Sequence, residues 1–304
     1  MRSLLAAVFA AALAAAAPPS PGSPRAQARA AYEAGDYAKA AALLTQAAEE
    51  GDVRAQYVLG LLYERGRGVP EDLAAAAAWY RKAAEAGDAA AQNNLGFLYS
   101  TGRGVPRDDA QAFAWFEKAA AAKGPEGAVA WSNLGNAYFR GSGVRKNLAK
   151  AVAFYRKAAA AGNPYAQNNL AYLYEHGLGV RRDLKEAARW YRAAADQGVP
   201  FAEGNLAVVY EGGRGVARDP AEAFKWFSRA ARHGGAYAQY RLGRLYETGR
   251  GTKPDLVAAY AWYARAAARG DRAAERALAR LKGRLTPDQL AEAARRAQAE
   301  EPER

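Results

Sequence analysis

The chain contains no cysteine, only two histidines and one methionine among 304 residues. Without cysteine there can be no disulfide, no thiolate metal site and no cysteine nucleophile. The two histidines, His176 and His233, close helical stretches, where an imidazole suits the negative end of the dipole. Neither belongs to an H-E-x-x-H element. No serine has lysine three residues later, and no glycine is followed by lysine, so two common serine-acylation and phosphate-cradling signatures are missing. No set of acid, base and nucleophile can be assembled. The sequence therefore predicts no catalytic residue, no cofactor and no metal. Acidic residues are also short: 31 against 43 basic ones give a net charge of +12, with arginine far exceeding lysine. That excess favours solubility and anionic partners, and says nothing of fold. The arginine and alanine bias points to a GC-rich bacterial genome.

One long apolar run exists. Met1-Arg2-Ser3 precedes Leu4 to Ala17, and Pro18-Pro19-Ser20-Pro21-Gly22 ends it. Fourteen apolar residues are too few to span a bilayer comfortably, and the pattern matches a secretory signal peptide. Residues 1–17 are thus expected to be a signal, with export to the periplasm or the exterior of a bacterium, and 18–24 a linker. Cleavage after Ala17 places a proline directly after the cut; Ala26-Gln27-Ala28 is the alternative. A lipid anchor is excluded because no cysteine follows.

What dominates the remainder is repetition. A Leu-Gly or Leu-Ala pair recurs at Leu59, Leu95, Leu134, Leu170, Leu206 and Leu242, spaced 36, 39, 36, 36 and 36. Gly66, Gly102, Gly141, Gly177, Gly213 and Gly249 keep the same register, as do Trp79, Trp115, Phe154, Trp190, Trp226 and Trp262. Such a period signals stacked supersecondary units, each touching only its neighbours. Within one unit, Ala55, Leu59, Leu62 and Tyr63 fall on one face of a first helix. Arg65 to Pro70 cannot continue it. Glu71 and Asp72 suit the start of a second helix, whose buried stripe is Leu73, Ala76, Ala77, Tyr80, Ala83 and Ala84. The small residue after each anchor leucine is expected where two helices touch. The Gly-x-Gly elements occur in every unit and are read as structural turns.

The pattern A-x-x-x-LG-x-x-Y-x-x-G-x-GV-x-x-D-x-x-x-A-x-x-W-Y/F-x-x-A resembles the Sel-one-like repeat (SLR) family, related to tetratricopeptide repeats. Departures are Ala171 and Ala207 for glycine, Asn147 for aspartate, Phe154 for tryptophan and Thr252 for valine. The resemblance implies an all-α, right-handed superhelical solenoid of helix-turn-helix repeats. It divides the chain into a tetratricopeptide-like cap (25–51), six repeats (52–87, 88–126, 127–162, 163–198, 199–234, 235–270) and C-terminal capping helices (271–304). In the latter, Thr286 and Gln289 are placed for a capping box with Pro287 at the first helical position.

By analogy with tetratricopeptide repeats, first helices line a concave face. Positions two before and two after each anchor leucine then point inward: Tyr57, Asn93, Phe97, Asn136, Asn168, Tyr172, Tyr240 and Arg244 are the candidates for gripping a peptide, alongside Leu61, Ser132, Gly204 and Val208. Rings supply contact area and amides pair with a peptide backbone. Tyr165, Phe201 and Tyr237 either extend this face or pack between repeats. Asn94, Asn133, Asn169 and Asn205 are expected to form an inter-repeat hydrogen-bond ladder. A second candidate is a basic ridge along the turns, Arg67, Arg103, Arg145, Arg181, Arg182, Arg214, Arg218 and Arg250, with Lys146 and Lys253. It would take an anionic glycan or lipid, or form a solvated rim. The charge would suit nucleic acid, but the signal segment argues against it. The resemblance implies a monomeric, non-catalytic scaffold or adaptor for a protein or peptide, in envelope signalling, assembly or host contact.

Overall fold

The computed structural model describes Ser20 and residues 22–299. The segment read as a signal peptide, residues 1–17, lies outside the described residues, as do Pro18, Pro19 and Pro21 of the linker and the last five residues. The described residues form sixteen α-helices and no strand, an all-α solenoid. They fall into two compact units that part after Ala161. The first unit holds α1 (Pro24–Glu33), α2 (Tyr37–Glu49), α3 (Val53–Arg65), α4 (Leu73–Glu85), α5 (Ala89–Thr101), α6 (Asp109–Ala119), α7 (Pro125–Arg140) and α8 (Leu148–Ala160). The second holds α9 (Pro164–His176), α10 (Leu184–Asp196), α11 (Pro200–Gly212), α12 (Pro220–Arg232), α13 (Ala236–Thr248), α14 (Leu256–Ala267), α15 (Arg272–Lys282) and α16 (Pro287–Gln298). Odd-numbered helices are the first of each pair, even-numbered the second.

Each helix starts and stops where its residues dictate. Asp72 caps α4 by accepting from the amides of Ala74 and Ala75, and Asn147 does the same for α8 through Lys150, so the departure from aspartate costs no cap. Each anchored first helix ends on a glycine in the left-handed region, such as Gly66 at φ +59°, whose amide returns to the Leu62 carbonyl. Thr286 and Gln289 form the expected reciprocal capping box at α16. Ala55, Leu59 and Leu62 are buried, with Tyr63 packing half-buried at the edge, and Ala76, Ala77, Tyr80, Ala83 and Ala84 complete the pair.

Within a pair, the small residue after the anchor leucine meets the ring of the second helix. A Cβ on Gly60 would lie 2.6 Å from the Tyr80 ring, and one on Gly135 2.6 Å from that of Tyr155. Between pairs of one unit, the second glycine of the turn is pressed onto the preceding repeat. A Cβ on Gly104 would sit 2.1 Å from the carbonyl oxygen of Leu73, the first residue of α4. Gly68, Gly143, Gly215 and Gly251 meet the first residues of α2, α6, α10 and α12 in the same way. The Gly-x-Gly turn is therefore a seat for the neighbouring helix, which is a structural reason for its recurrence.

Because the Tyr155 ring is itself buried, Gly135→Leu is expected to cost about 2 kcal/mol by overpacking. The urea midpoint of the variant measures this; an unchanged midpoint would contradict the close approach.

Candidate functional site

The first helices carry the surface on which a ligand could be held. Six large apolar side chains are exposed among the described residues, each by 41–58% of its area: Phe97, Val129, Tyr165, Tyr172, Phe201 and Tyr237. All six lie on first helices, α5, α7, α9, α11 and α13. In the second unit Tyr165, Phe201 and Tyr237 occupy one register of successive repeats, and the rings of Tyr165 and Phe201 stand 5.8 Å apart. Tyr172 lies against the His176 ring at 4.3 Å. Of the two readings open for this trio, the structure leaves the rings half outside the core.

The position two before the leucine behaves differently from the position two after it. Asn93, 4% exposed, donates to the Glu126 carbonyl at 2.9 Å. Asn168, 8% exposed, accepts from Asn205 at 2.9 Å. Both were expected to face a peptide and instead bond residues of the next repeat. Asn136, too, accepts the Tyr155 hydroxyl at 2.7 Å. Tyr57 and Tyr240 are half-buried against Tyr80 and Tyr263. Burial, the largest cause, pushes the Tyr57 phenol up to about 12 despite the Arg54 guanidinium over its ring. Phe97, Tyr172 and Arg244 remain open to solvent.

The expected asparagine ladder is present in part: Asn205 bonds Asn168 and Asn94 bonds the Tyr80 hydroxyl, each across two successive repeats. The main rungs are glutamines three residues before the leucine. Gln56, Gln92 and Gln239 each donate to a carbonyl eight residues back, on Ala48, Ala84 and Ala231, at 3.0, 3.0 and 3.1 Å. Trp131 plays this part in the third repeat, its indole N–H reaching the Ala120 carbonyl at 3.1 Å across the three-residue insertion. The glutamines recur at the 36-residue period, and that was the available signal.

The fifth repeat places Glu203 on this rung. Its side chain is 0% exposed, Arg229 approaches to 3.0 Å and His233 to 3.6 Å, yet neither carboxylate oxygen has a well-aligned donor. Burial raises its pKa, with Arg229, His233 and Arg232 opposing. A carboxyl with a raised folded-state pKa contributes stability that is fully present below the unfolded pKa and is lost as pH rises through the folded one.

Along the turns, Arg103, Arg145, Arg181, Arg182, Arg218 and Arg250 are exposed. Arg67 is committed to the Tyr32 and Tyr37 hydroxyls and Arg214 to Glu175 at 2.9 Å. Those two are structural ties rather than free ridge positions, and Arg182, though exposed, donates to the Glu175 carbonyl at 2.9 Å.

The Sel1 repeat signature matches seven segments: residues 24–52, 53–88, 89–123, 130–163, 164–199, 200–235 and 236–271. The chain belongs to the Sel1 repeat family. The match includes α1 and α2, set apart above as a tetratricopeptide-like cap. Among solved structures, a protective antigen of uropathogenic Escherichia coli with an SLR fold is 36% identical over 86% of this chain, with a TM-score of 0.70. The alignment spans 56% of that longer protein. A Sel1 repeat protein from Oxalobacter formigenes is 30% identical over 81% of this chain and 97% of its own, with a TM-score of 0.71. No curated protein matches the chain. Sel1 repeat proteins generally act as non-catalytic scaffolds for protein interaction.

Replacing Glu203 by glutamine restores the donor that the rung uses elsewhere and removes a buried charge. Glu203→Gln is expected to stabilise the protein by about 1 kcal/mol at neutral pH and by less near pH 4. Thermal melts from pH 4 to 8 check this; a variant less stable than the parent at pH 7 would mean that the ion pair with Arg229 outweighs the burial.

Proposed function

We propose that this Sel1 repeat protein is an exported, monomeric, non-catalytic adaptor of the bacterial envelope that holds a protein or peptide against its first helices. The observation that carries this reading is the one-sided distribution of exposed apolar side chains: all six lie on first helices and none on second helices. Exposed rings set in register on a rigid scaffold supply contact area at little entropic cost, as binding surfaces require. With Asn93, Asn136 and Asn168 engaged internally, the contacts fall to Phe97, Tyr172, Tyr165, Phe201, Tyr237 and Arg244. For export, a cut after Ala17 is compatible with the fold, whereas a cut at Ala26-Gln27-Ala28 would divide α1, in which Ala28 is fully buried.

A second reading uses the exposed turn arginines Arg103, Arg145, Arg181, Arg182, Arg218 and Arg250 to bind an anionic glycan or lipid. Salt separates the two, because interactions of exposed charges are screened steeply and apolar contacts are not. A crosslinking pull-down from the native envelope at low and high salt is expected to retain discrete protein partners in both. Tyr172→Ala and Phe201→Ala should lower that capture while moving the melting temperature little. Glycan or lipid that washes off with salt would transfer the function to the arginines, and a large loss of stability would place the rings in the core.

A further inference from the structure

The second helix of most repeats carries a tyrosine that reaches back to its own first helix. Tyr80 donates to Glu64 at 2.6 Å, Tyr191 to Glu175 at 2.9 Å and Tyr263 to Glu247 at 2.7 Å. In sequence the tyrosine lies 21 residues, and the glutamate five, after the anchor leucine. The third and fifth repeats each keep one member. Tyr155 gives its hydroxyl to Asn136, and Glu211, opposite Phe227, is paired with Arg241. Only the second of the six anchored repeats lacks both, with Phe116 and Ser100 at these positions.

Phe116 itself is not displaced. A Cβ on Gly96 would lie 2.7 Å from its ring, just as Cβ atoms on Gly60 and Gly135 would meet Tyr80 and Tyr155. The ring sits where the tyrosines sit, and a hydroxyl and a carboxylate are missing beside it. A cavity of about 290 Å³ opens there, between α5, α6 and α7 and wholly within the first unit. Its walls include the rings of Phe97, Phe113 and Phe116. Its polar part includes Ser100, the Asn133 amide and the Arg140 guanidinium. Arg107 and Asp109 also line the cavity but are bound to each other at 2.9 Å, so their charges offset, whereas Arg140 has no carboxylate partner among the described residues.

We propose that this cavity binds a small carboxylate with an aryl-sized apolar body, the ring lying among Phe97, Phe113 and Phe116 and the carboxylate facing Arg140 and Asn133. The volume is at the lower bound of small-molecule sites, room for one ring and its acid rather than an oligomer. Guanidinium and amide both donate, so an acceptor group suits this side, and a carboxylate also offsets the unpaired positive charge. Two sources share this chemistry: a free aryl carboxylate and the C-terminal aromatic residue of a peptide. The site shares Phe97 with the proposed adaptor face but does not depend on an adaptor role, since a free carboxylate would bind without any partner protein.

The test is titration of the purified full chain, followed by calorimetry and by amide NMR shifts, with 3-phenylpropionate, N-acetylphenylalanine and N-acetylphenylalaninamide. The two acids are expected to bind and to shift amides of α5–α7, and the amide to bind about tenfold more weakly. N-acetylphenylalanine as the tighter acid identifies a peptide terminus; 3-phenylpropionate as the tighter one identifies a free carboxylate. The double variant Ser100→Glu/Phe116→Tyr rebuilds the pair used by three other repeats, so it should fill the site with melting unchanged or raised and abolish binding. Arg140→Gln, at an exposed position, should weaken the acids alone and provides a test if the double variant folds poorly. Absence of binding by both acids, equal binding of the amide, or undiminished binding by the filled variant or by Arg140→Gln would overturn the proposal and leave the adaptor reading standing.

Discussion

The structure depends on one close approach. Within each unit, the second glycine of a turn lies against the carbonyl of the first residue of the preceding second helix, closer than any side chain allows. This contact fixes where one repeat sits on the next, and other features follow from that spacing. It brings the first helix of a repeat near enough for a glutamine to reach the carbonyls at the end of the previous second helix. It also leaves no room for a bulky turn, which is a steric reason for the Gly-x-Gly loop. A solenoid without disulfides has only such local contacts to hold its register, and each repeat must supply its own.

Where the repeats depart from one another, the molecule acquires individuality. Glu203 replaces a donor by a buried acid and brings Arg229 and His233 toward it. Phe116 and Ser100 delete a phenol–carboxylate pair and leave a cavity in its place. In the third repeat, Trp131 compensates a three-residue insertion by substituting an indole for an amide. A repeat array tolerates these changes because each disturbs only its neighbours. The surface is divided too: the large apolar side chains left exposed among the described residues all lie on first helices.

Most of the fold was legible because three markers share one period and each has a local physical reason: a leucine in the core, a glycine at a helix end, a ring on the second helix. The first pair was harder to see. α1 and α2 are joined by three residues, Ala34 to Asp36, instead of the seven that separate α3 from α4, so the turn signature is absent. The candidate site was legible only in part. Adjacent helical positions point about 100° apart, so Asn93 and Asn94 are alike in chemistry yet serve different neighbours. Phe97 and Tyr172 were recognisable as surface rings because they follow the leucine by two. The glutamine rungs were present in the sequence at the repeat period, but a glutamine on a helix is commonly solvated, and only the distance to the carbonyl distinguishes a rung. The cavity beside Phe116 could be found only by comparing repeats at positions where the usual residues are missing.

The most direct test of the inter-repeat seat is Gly104→Ala, followed by urea denaturation and hydrogen exchange. The added methyl would meet the Leu73 carbonyl at 2.1 Å on a residue at φ +71°. The account predicts a lower urea midpoint and lost amide protection on both sides of the seam, at the start of α4 and in the turn between α5 and α6. An unchanged midpoint with protection intact on both sides would contradict the claim that this contact sets the stacking.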